Sequence, residues 1–185
     1  MAKIFFTSDL LFGRAQIAKQ RGFENVDHME DTLVTEWRSV VGDGDTVYHL
    51  GNFSWDPISA EAAVSRLNGK IVFVLGEYDS HIPALYSVRS GRHTVLGSTV
   101  SVIKGNTLKS KGKHQMCDAV LCHWPMLDWP GRLDGNYHIH GGMMRSDLTN
   151  GRRFGVGCDH WELCPIELAA LAEFSDAFDK QPRPA

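Results

Sequence analysis

Several polar side chains that could bind a metal ion or transfer a proton follow apolar runs of the sequence. Asp9 follows an apolar run near the N-terminus, and Asn52, Glu77 and His123 follow three later ones. Carboxylates and imidazoles are the groups that most often bind divalent ions and act as general acids or bases. Parallel strands end at one edge of a sheet, and open α/β sheets bind ligands there. We therefore expect these side chains to converge on one set of loops.

The elements that must position these residues alternate between apolar runs of strand length and segments with helical periodicity. The first strand is predicted in the apolar run that starts at Lys3 and delivers Asp9 to its C-terminal edge. Further strands are predicted over 46–50, 71–75, 119–122, 137–140 and 154–158, with a strand pair over 93–103 and a polar loop over 104–113. The helices are predicted over 14–21, 23–41, 57–67 and 166–178. Asp27 is the candidate N-cap of the second helix, with Glu30 three residues later. This pattern is typical of an α/β layered protein.

Composition bounds the function classes. The chain has 185 residues, 43% of them hydrophobic, and a net charge of −3 with no basic run. We therefore expect one domain over residues 1–180 with a flexible tail over 181–185, and no general nucleic-acid or membrane binding. The sequence shows no transmembrane or signal-peptide pattern and no Cys-x-x-Cys spacing among its four cysteines. These features predict reduced thiols and a cytoplasmic location.

Five segments of the chain resemble the calcineurin-like metallophosphoesterases, specifically the short single-domain kind of bacteria and phages. The segments occur in family order and at family spacing: 4–9, 45–51, 67–70, 122–126 and 156–161. The resemblance implies an αββα sandwich, in which layered β-sheets are flanked by helices. It also implies a two-metal site built from the motifs D-x-H, G-D, G-N-H-D, a lone His and G-H-x-H, whose ions bind a phosphate and generate the attacking hydroxide.

The resemblance also assigns a set of residues to this site, and most of them are substituted. The residues at those positions are Asp9, Leu11, Asn52, Glu77, Tyr78, His123, Gly142 and Met144. Tyr78 stands at the catalytic His position. Of the seven ligand positions, only those of Asp9 and His123 keep a ligand of the family type. Asn52 replaces the bridging Asp, and without that carboxylate two adjacent dications would repel by several kcal/mol, even at an effective dielectric of about 20.

The retained and neighbouring residues have alternative interpretations. Asp9 could cap a following turn or accept hydrogen bonds from backbone N–H groups. We expect Asp9→Ala to change stability little and to abolish no phosphodiesterase activity. His123 could be a core histidine, and Asp79 a solvated loop carboxylate. His138 and His140 share one face of a strand, so they could be a remnant of G-H-x-H in a shifted register.

Three functions remain open. The first is a pseudoenzyme that has lost most metal ligands and serves as a binding, assembly or structural protein, with a protein partner or as a homo-oligomer, cytoplasmic or as a phage component. The second is a residual phosphoesterase that acts on a phosphomono- or diester with one divalent ion (Mn, Mg or Zn) on Asp9, Asn52, Glu77 and His123. The third is a metal-free phosphate or nucleotide binder that uses loop N–H groups, Asn52 and Arg14. The first predicts no cofactor.

Overall fold

The protein contains two five-stranded β-sheets among the residues described. Its computed structural model describes residues 2–86, 91–98, 101–110, 113–142, 149–150, 152–171 and 173. The first sheet has the order β10-β1-β2-β3-β4, in which β1 to β4 are parallel and β10 is antiparallel to β1. Its strands are β1 (Ile4–Thr7), β2 (Thr46–Leu50), β3 (Lys70–Val74), β4 (Thr94–Gly97) and β10 (Ile166–Glu167).

The second sheet has the order β5-β6-β7-β9-β8, with β6, β7 and β9 parallel. Its strands are β5 (Ser101–Ser110), β6 (Lys113–Cys122), β7 (Tyr137–His140), β8 (Thr149–Asn150) and β9 (Arg153–Gly155). β5 and β6 form a long antiparallel hairpin, so the polar loop predicted over 104–113 is wrong at residues 104–110 and 113, while residues 111–112 lie outside the described residues. The ladder between the two strands satisfies their backbone groups whatever the polarity of the side chains, which is why hydrophobic periodicity missed it. The strand pair predicted over 93–103 is also wrong, because β4 and β5 lie in different sheets.

The two sheets pack face to face. Phe6, Leu50 and Val74 of the first sheet share one buried cluster with Leu121 and Ile139 of the second. Strand side chains alternate between faces, so the neighbouring residues of the first sheet point the other way, into a second cluster with the helices. The predicted α/β class is thus confirmed, with β1 buried on both faces.

In the described part of the chain, four helices accompany the first sheet: α1 (Ala15–Gln20), α2 (Val26–Val40), α3 (Pro57–Arg66) and the short α4 (Ile82–Tyr86), which the sequence analysis did not predict. α2 buries Met29, Leu33 and Trp37 against the sheet. Its helical spacing made it predictable to within a few residues. Pro57 at the first position and the Asp56 side chain, which accepts the Ser59 N–H, begin α3.

The C-terminal part of the prediction needs two corrections. Ile166–Glu167 is strand β10 rather than the start of a helix, because it pairs with the otherwise open edge of β1. Helical backbone follows over 168–171, and the rest of the predicted helix, apart from residue 173, lies outside the described residues. The predicted strand over 154–158 is shorter than expected, since Cys158–His160 forms a 3₁₀ turn.

The N-cap of α2 is Asn25 and not Asp27. The Asn25 side chain accepts the His28 N–H at 2.8 Å, whereas Asp27 lies in the first helical turn. Glu30 does not close a capping box; its carboxylate accepts the Gly13 N–H at 2.7 Å and so ties α2 to the loop after β1.

We predict that Asn25→Ala lowers the free energy of unfolding by about 1 kcal/mol, because it leaves an N-terminal amide of α2 without its cap. Asp27→Ala is the matched control and should cost less, since it removes only a charge near the helix N-terminus. Urea unfolding of the two variants measures both. A larger loss for Asp27→Ala would contradict the cap assignment.

Candidate functional site

The loops after β1 and β2 run side by side at the carboxyl edge of the first sheet. The Asp9 N–H donates to Gly51 O at 2.9 Å, and the Leu11 N–H donates to Asn52 O at 3.1 Å. Asp9, Leu11 and Asn52 have φ angles of 59°, 54° and 60°, in the left-handed region that ordinary side chains rarely adopt. Non-glycine residues held there are strained, and such residues cluster at functional sites.

The Asp9 carboxylate is fully buried and accepts three hydrogen bonds. Its Oδ1 accepts from Asn52 Nδ2 at 2.9 Å, and its Oδ2 accepts from Ser8 Oγ at 2.6 Å and from the Gly142 N–H at 2.8 Å. Asp9 therefore accepts one backbone N–H, as one interpretation of the sequence expected, but its other two donors are side chains. We now expect Asp9→Ala to lower stability, because the substitution would leave these buried donors without partners.

The Asn52 amide joins Asp9 to His123. The His123 Nδ1–H donates to Leu50 O at 2.7 Å, so Nε2 is the acceptor in the neutral ring. Asn52 Nδ2 lies 3.3 Å from this Nε2 and 2.9 Å from Asp9 Oδ1, so its two hydrogens serve the two groups. Asn52 Oδ1 accepts the Tyr78 N–H at 3.2 Å. Every polar atom of the amide therefore has a partner.

Asp79 is buried rather than solvated, which corrects the sequence-based interpretation. Its carboxylate accepts the N–H groups of Asn52 at 2.6 Å, Phe53 at 2.8 Å and Gly76 at 2.8 Å. It thereby fixes the loop after β2 against the loop after β3. The polar tetrapeptide 76–79 gave no sign of which of its acidic residues would turn inward.

Tyr78 and Gly142 join this network only through their backbone N–H groups, and the side chains of Leu11 and Glu77 do not join it. Leu11 is fully buried in the apolar cluster on the helix side, and Glu77 is exposed. Within the described part of the chain no hydrogen bond connects Glu77 to Asp9, Asn52 or His123. Met144 lies outside the described residues. Of the four residues proposed as ligands of a single ion, the structure brings Asp9, Asn52 and His123 together, whereas Glu77 lies apart from them.

Glycines make room for the imidazole of His123. A Cβ on Gly51 would lie 2.3 Å from His123 Nδ1, and one on Gly141 would lie 2.6 Å from the same atom. A Cβ on Gly76 would lie 2.6 Å from Asn52 Oδ1. Gly142 has φ 102°, so a histidine at this position would be strained even though a Cβ there meets open space.

Arg21 supports the Asp9 loop from outside the network, and the sequence analysis did not single it out. Its guanidinium binds both carboxylate oxygens of Asp159 at 2.7 and 2.8 Å. It also donates to Asp9 O at 2.7 Å and to Leu10 O at 3.0 Å. The side chain is 6% exposed, and bidentate pairs of this kind are the stronger ones. Only the fold, which brings residues 21 and 159 together, reveals it.

Tyr78, which the resemblance places at the catalytic His position, packs at the outer rim of the site. Its ring centroid lies 5.3 Å from that of Trp55. The Arg14 guanidinium carbon lies 4.3 Å from the Trp55 ring and 4.7 Å from the Tyr78 ring. The guanidinium therefore lies close to both rings, which are tilted relative to each other by 53°.

His138 and His140 are buried on one face of β7 with ring centroids 5.2 Å apart, as their spacing predicted. His138 uses both nitrogens within the protein: Nδ1–H donates to Val120 O, and Nε2 accepts the Met126 N–H. Burial lowers the pKa of His138 to about 4. These contacts are those of a neutral core histidine, not of a metal ligand.

The donor set does not fit the two-metal centre that the resemblance implies. An amide nitrogen cannot bridge two cations, and here it donates to the very atoms of Asp9 and His123 that would face an ion. Over the described ranges, no group of three His, Cys, Asp or Glu side chains is placed to hold a metal ion. No step of a metal-dependent reaction follows from this geometry.

No family model matches the chain. An uncharacterized protein of Methanocaldococcus jannaschii is 42% identical over 84 residues, which are 43% of this chain and 48% of that protein. The Gene 66 proteins of Mycobacterium phages L5 and D29 are each 29% identical over 189 residues. These matches cover 87% and 90% of this chain, and 88% and 94% of the phage proteins. The chain thus spans about half of the archaeal relative and most of the phage ones.

A crystal structure of a protein of unknown function from Aquifex aeolicus has the same fold. Its TM-score to this chain is 0.68 at 18% sequence identity, with 94% of this chain and 100% of that chain covered. At this identity the likeness concerns the fold alone. Within the described residues, no helix is long and apolar enough to cross a membrane.

We predict that Asn52→Asp lowers the free energy of unfolding by about 2–4 kcal/mol at neutral pH. The substitution places a second carboxylate at hydrogen-bond distance from the Asp9 carboxylate and removes both amide donors. The deficit should shrink as the pH is lowered, because protonation of the introduced carboxyl relieves the repulsion. Asn25→Asp is the control, because a carboxylate caps α2 as well as an amide oxygen does. If Asn52→Asp and the wild type unfolded at the same temperature at pH 7, that result would contradict the hydrogen-bond network.

The pH dependence of stability follows from buried neutral histidines. Burial lowers the pKa of His49 to about 3, and that of His93 and His138 to about 4. A histidine whose folded pKa lies below its unfolded value of about 6.5 favours folding above that pH and loses this contribution as the pH falls. We therefore expect stability to decrease as the pH is lowered from about 6.5 to 4.

His49→Phe should reduce the slope of the unfolding free energy against pH by up to about 1.4 kcal/mol per pH unit, which is the contribution of one titrating proton. The ring of His49 already lies edge-on against Phe53, with centroids 5.0 Å apart, so an aromatic replacement suits the site. His28→Gln changes an exposed histidine and should leave the slope unchanged. Urea midpoints across this pH range provide the measurement, and an unchanged slope in His49→Phe would refute the assignment.

Proposed function

We propose that this chain is a degenerate calcineurin-like phosphoesterase, a pseudoenzyme that acts by binding other molecules rather than by hydrolysing a phosphoester. The five sequence segments in family order support the relationship. Two face-to-face sheets with helices on the outer face of one of them suit the αββα sandwich. The loops at the carboxyl edge of the sheet lie where that family holds its ions.

The observation that carries the proposal is the position of the Asn52 amide. Its nitrogen stands between Asp9 Oδ1 and His123 Nε2 and donates a hydrogen to each. Two retained ligands thus bind a neutral side chain of the protein itself. Because the network is buried and satisfied, a cation would have to displace the amide and leave its donors unpaired.

The same network argues against the metal-free phosphate binder. Such a site needs loop N–H groups that point at the anion. The amides of Asn52, Phe53 and Gly76 donate to Asp79, and that of Tyr78 donates to Asn52. A ligand at this edge would therefore have to be held by side chains at the rim, which favours a protein partner in an assembly or structural role. The two phage relatives extend the proposal to a phage component.

We predict that calorimetric titration with Mn²⁺ shows no binding in the micromolar range, and that a generic phosphodiester is not hydrolysed in its presence. The reason is that the Asn52 amide already binds the atoms that an ion would need. Asn52→Asp supplies the comparison, because it removes the amide donor and places a carboxylate between Asp9 and His123. It should bind Mn²⁺ more tightly than the wild type.

Tight binding of one Mn²⁺ by the wild type would overturn the proposal. The same holds for diester turnover that is abolished by a chelator and by Asp9→Ala. Either result would favour the residual single-metal phosphoesterase instead.

A further inference from the structure

The cluster of Arg14, Trp55 and Tyr78 lies at the rim of the loop network, with one residue from each of the first three strand-end loops. Trp55 is 48% exposed, while Arg14 and Tyr78 are half-buried. The guanidinium carbon is 4.3 Å from one ring centroid and 4.7 Å from the other, which is within the range of a cation–π interaction. The aromatic rings therefore hold the cation in one orientation at the surface.

Ring contacts leave the N–H groups of a guanidinium available. Arginine has five such donors in one plane, and a ring face accepts the charge without accepting those hydrogens in regular hydrogen bonds. Arg21, Arg66 and Arg132 each pair with a carboxylate, namely that of Asp159, Asp31 and Asp128. Arg14 differs from them: among the described residues it forms no ion pair, and its guanidinium lies over the two rings.

The acidic groups near this rim have other roles. Glu30 accepts the Gly13 N–H, and Asp56 caps α3 through Ser59. Glu77 precedes Tyr78 and is exposed, but within the described residues it forms no ion pair with Arg14. Arg14 is thus a partly exposed planar cation with no carboxylate of its own among the residues described.

We infer that this cluster is a docking site for a protein partner, whose aspartate or glutamate side chain pairs with the donor edge of Arg14 while its neighbouring apolar residues cover Trp55. Arg, Trp and Tyr are the residue types most enriched among the energetically dominant positions of protein interfaces. The planar fork of arginine matches a carboxylate, which it binds through two parallel hydrogen bonds. The inference rests on the proposed function, since it names the partner chemistry of a binding role.

A protein carboxylate suits the rim better than a free phosphate does. A phosphate has several oxygens that need donors, and the nearby backbone amides of Asn52, Phe53 and Tyr78 already donate elsewhere. A peptide brings one carboxylate for Arg14 together with apolar surface for the exposed indole. The rim offers these two features.

The test is selection from a displayed library of random dodecapeptides on the intact wild-type chain, with the Arg14→Ala chain used for counter-selection. We expect the enriched peptides to share an acidic residue next to an apolar one. Chemically made copies should bind wild type at least about tenfold more tightly than Arg14→Ala or Trp55→Ala. Replacing their acidic residue by its amide should cause a similar loss.

Arg38→Ala is the matched control, because it removes the same charge from an exposed position in α2 and should leave peptide binding unchanged. Thermal unfolding of each variant shows that the fold is kept. Arg14→Lys keeps the charge but not the planar fork, so it should bind the peptides as weakly as the alanine variant does.

Four results would overturn the inference: no enriched peptide, a consensus without acidic residues, equal binding by Arg14→Ala, or displacement of the peptides by millimolar inorganic phosphate. Self-association of the wild-type chain that Arg14→Ala abolishes would assign the cluster to a second copy of this chain instead. The Mn²⁺ titration is independent of all these outcomes. A failed peptide selection with no Mn²⁺ binding would therefore refute only the docking site and not the pseudoenzyme.

Discussion

The amide of Asn52 determines what the loop edge of this protein can do. Its nitrogen contacts Asp9 and His123, and its oxygen accepts the Tyr78 N–H, so one neutral side chain connects the loops after β1, β2, β3 and β6. A carboxylate in its place would face the Asp9 carboxylate and would need a proton or a cation between the two. The amide removes that need. It converts an arrangement that would attract an ion into one that is complete without it.

This network depends on a frame that keeps the loops in strained conformations. Asp9, Leu11 and Asn52 have positive φ angles, and the surroundings have to compensate for that cost. Asp79 does so for the loop after β2 by accepting three backbone N–H groups, and Arg21 does so for the loop after β1 by binding two backbone oxygens and Asp159. The frame explains how the loop geometry can persist when most of the expected metal ligands are absent.

The fold was predictable where side-chain periodicity reports burial. α2 and strands β2 and β3 of the first sheet have clear periodic or apolar patterns, and their predicted bounds agree with the structure to within a few residues. The hairpin of β5 and β6 was missed because its polar side chains carry no such signal. β10 was missed because a two-residue strand is defined by its partner, the edge of β1, and not by its own sequence.

The sequence predicted which residues meet at the candidate site, but not which of them are buried or which hydrogen bonds they form. Motif order indicated that Asp9, Asn52 and His123 would meet, and they do. The sequence could not indicate that Asp79 would be buried while Glu77 stays exposed, since the two residues lie two positions apart in one polar loop. Arg21 was not predictable, because its role requires Asp159, which is distant in the chain.

The most direct test of the central claim is nuclear magnetic resonance of the Asn52 side chain and the His123 ring in the wild-type protein. The account predicts two Asn52 amide protons that exchange slowly with water and a neutral His123 protonated at Nδ1, with neither signal changed by Zn²⁺. Rapid exchange of the amide protons, or a His123 Nε2 resonance that shifts when Zn²⁺ is added, would contradict it. That result would mean that Asp9 and His123 are available to a metal ion.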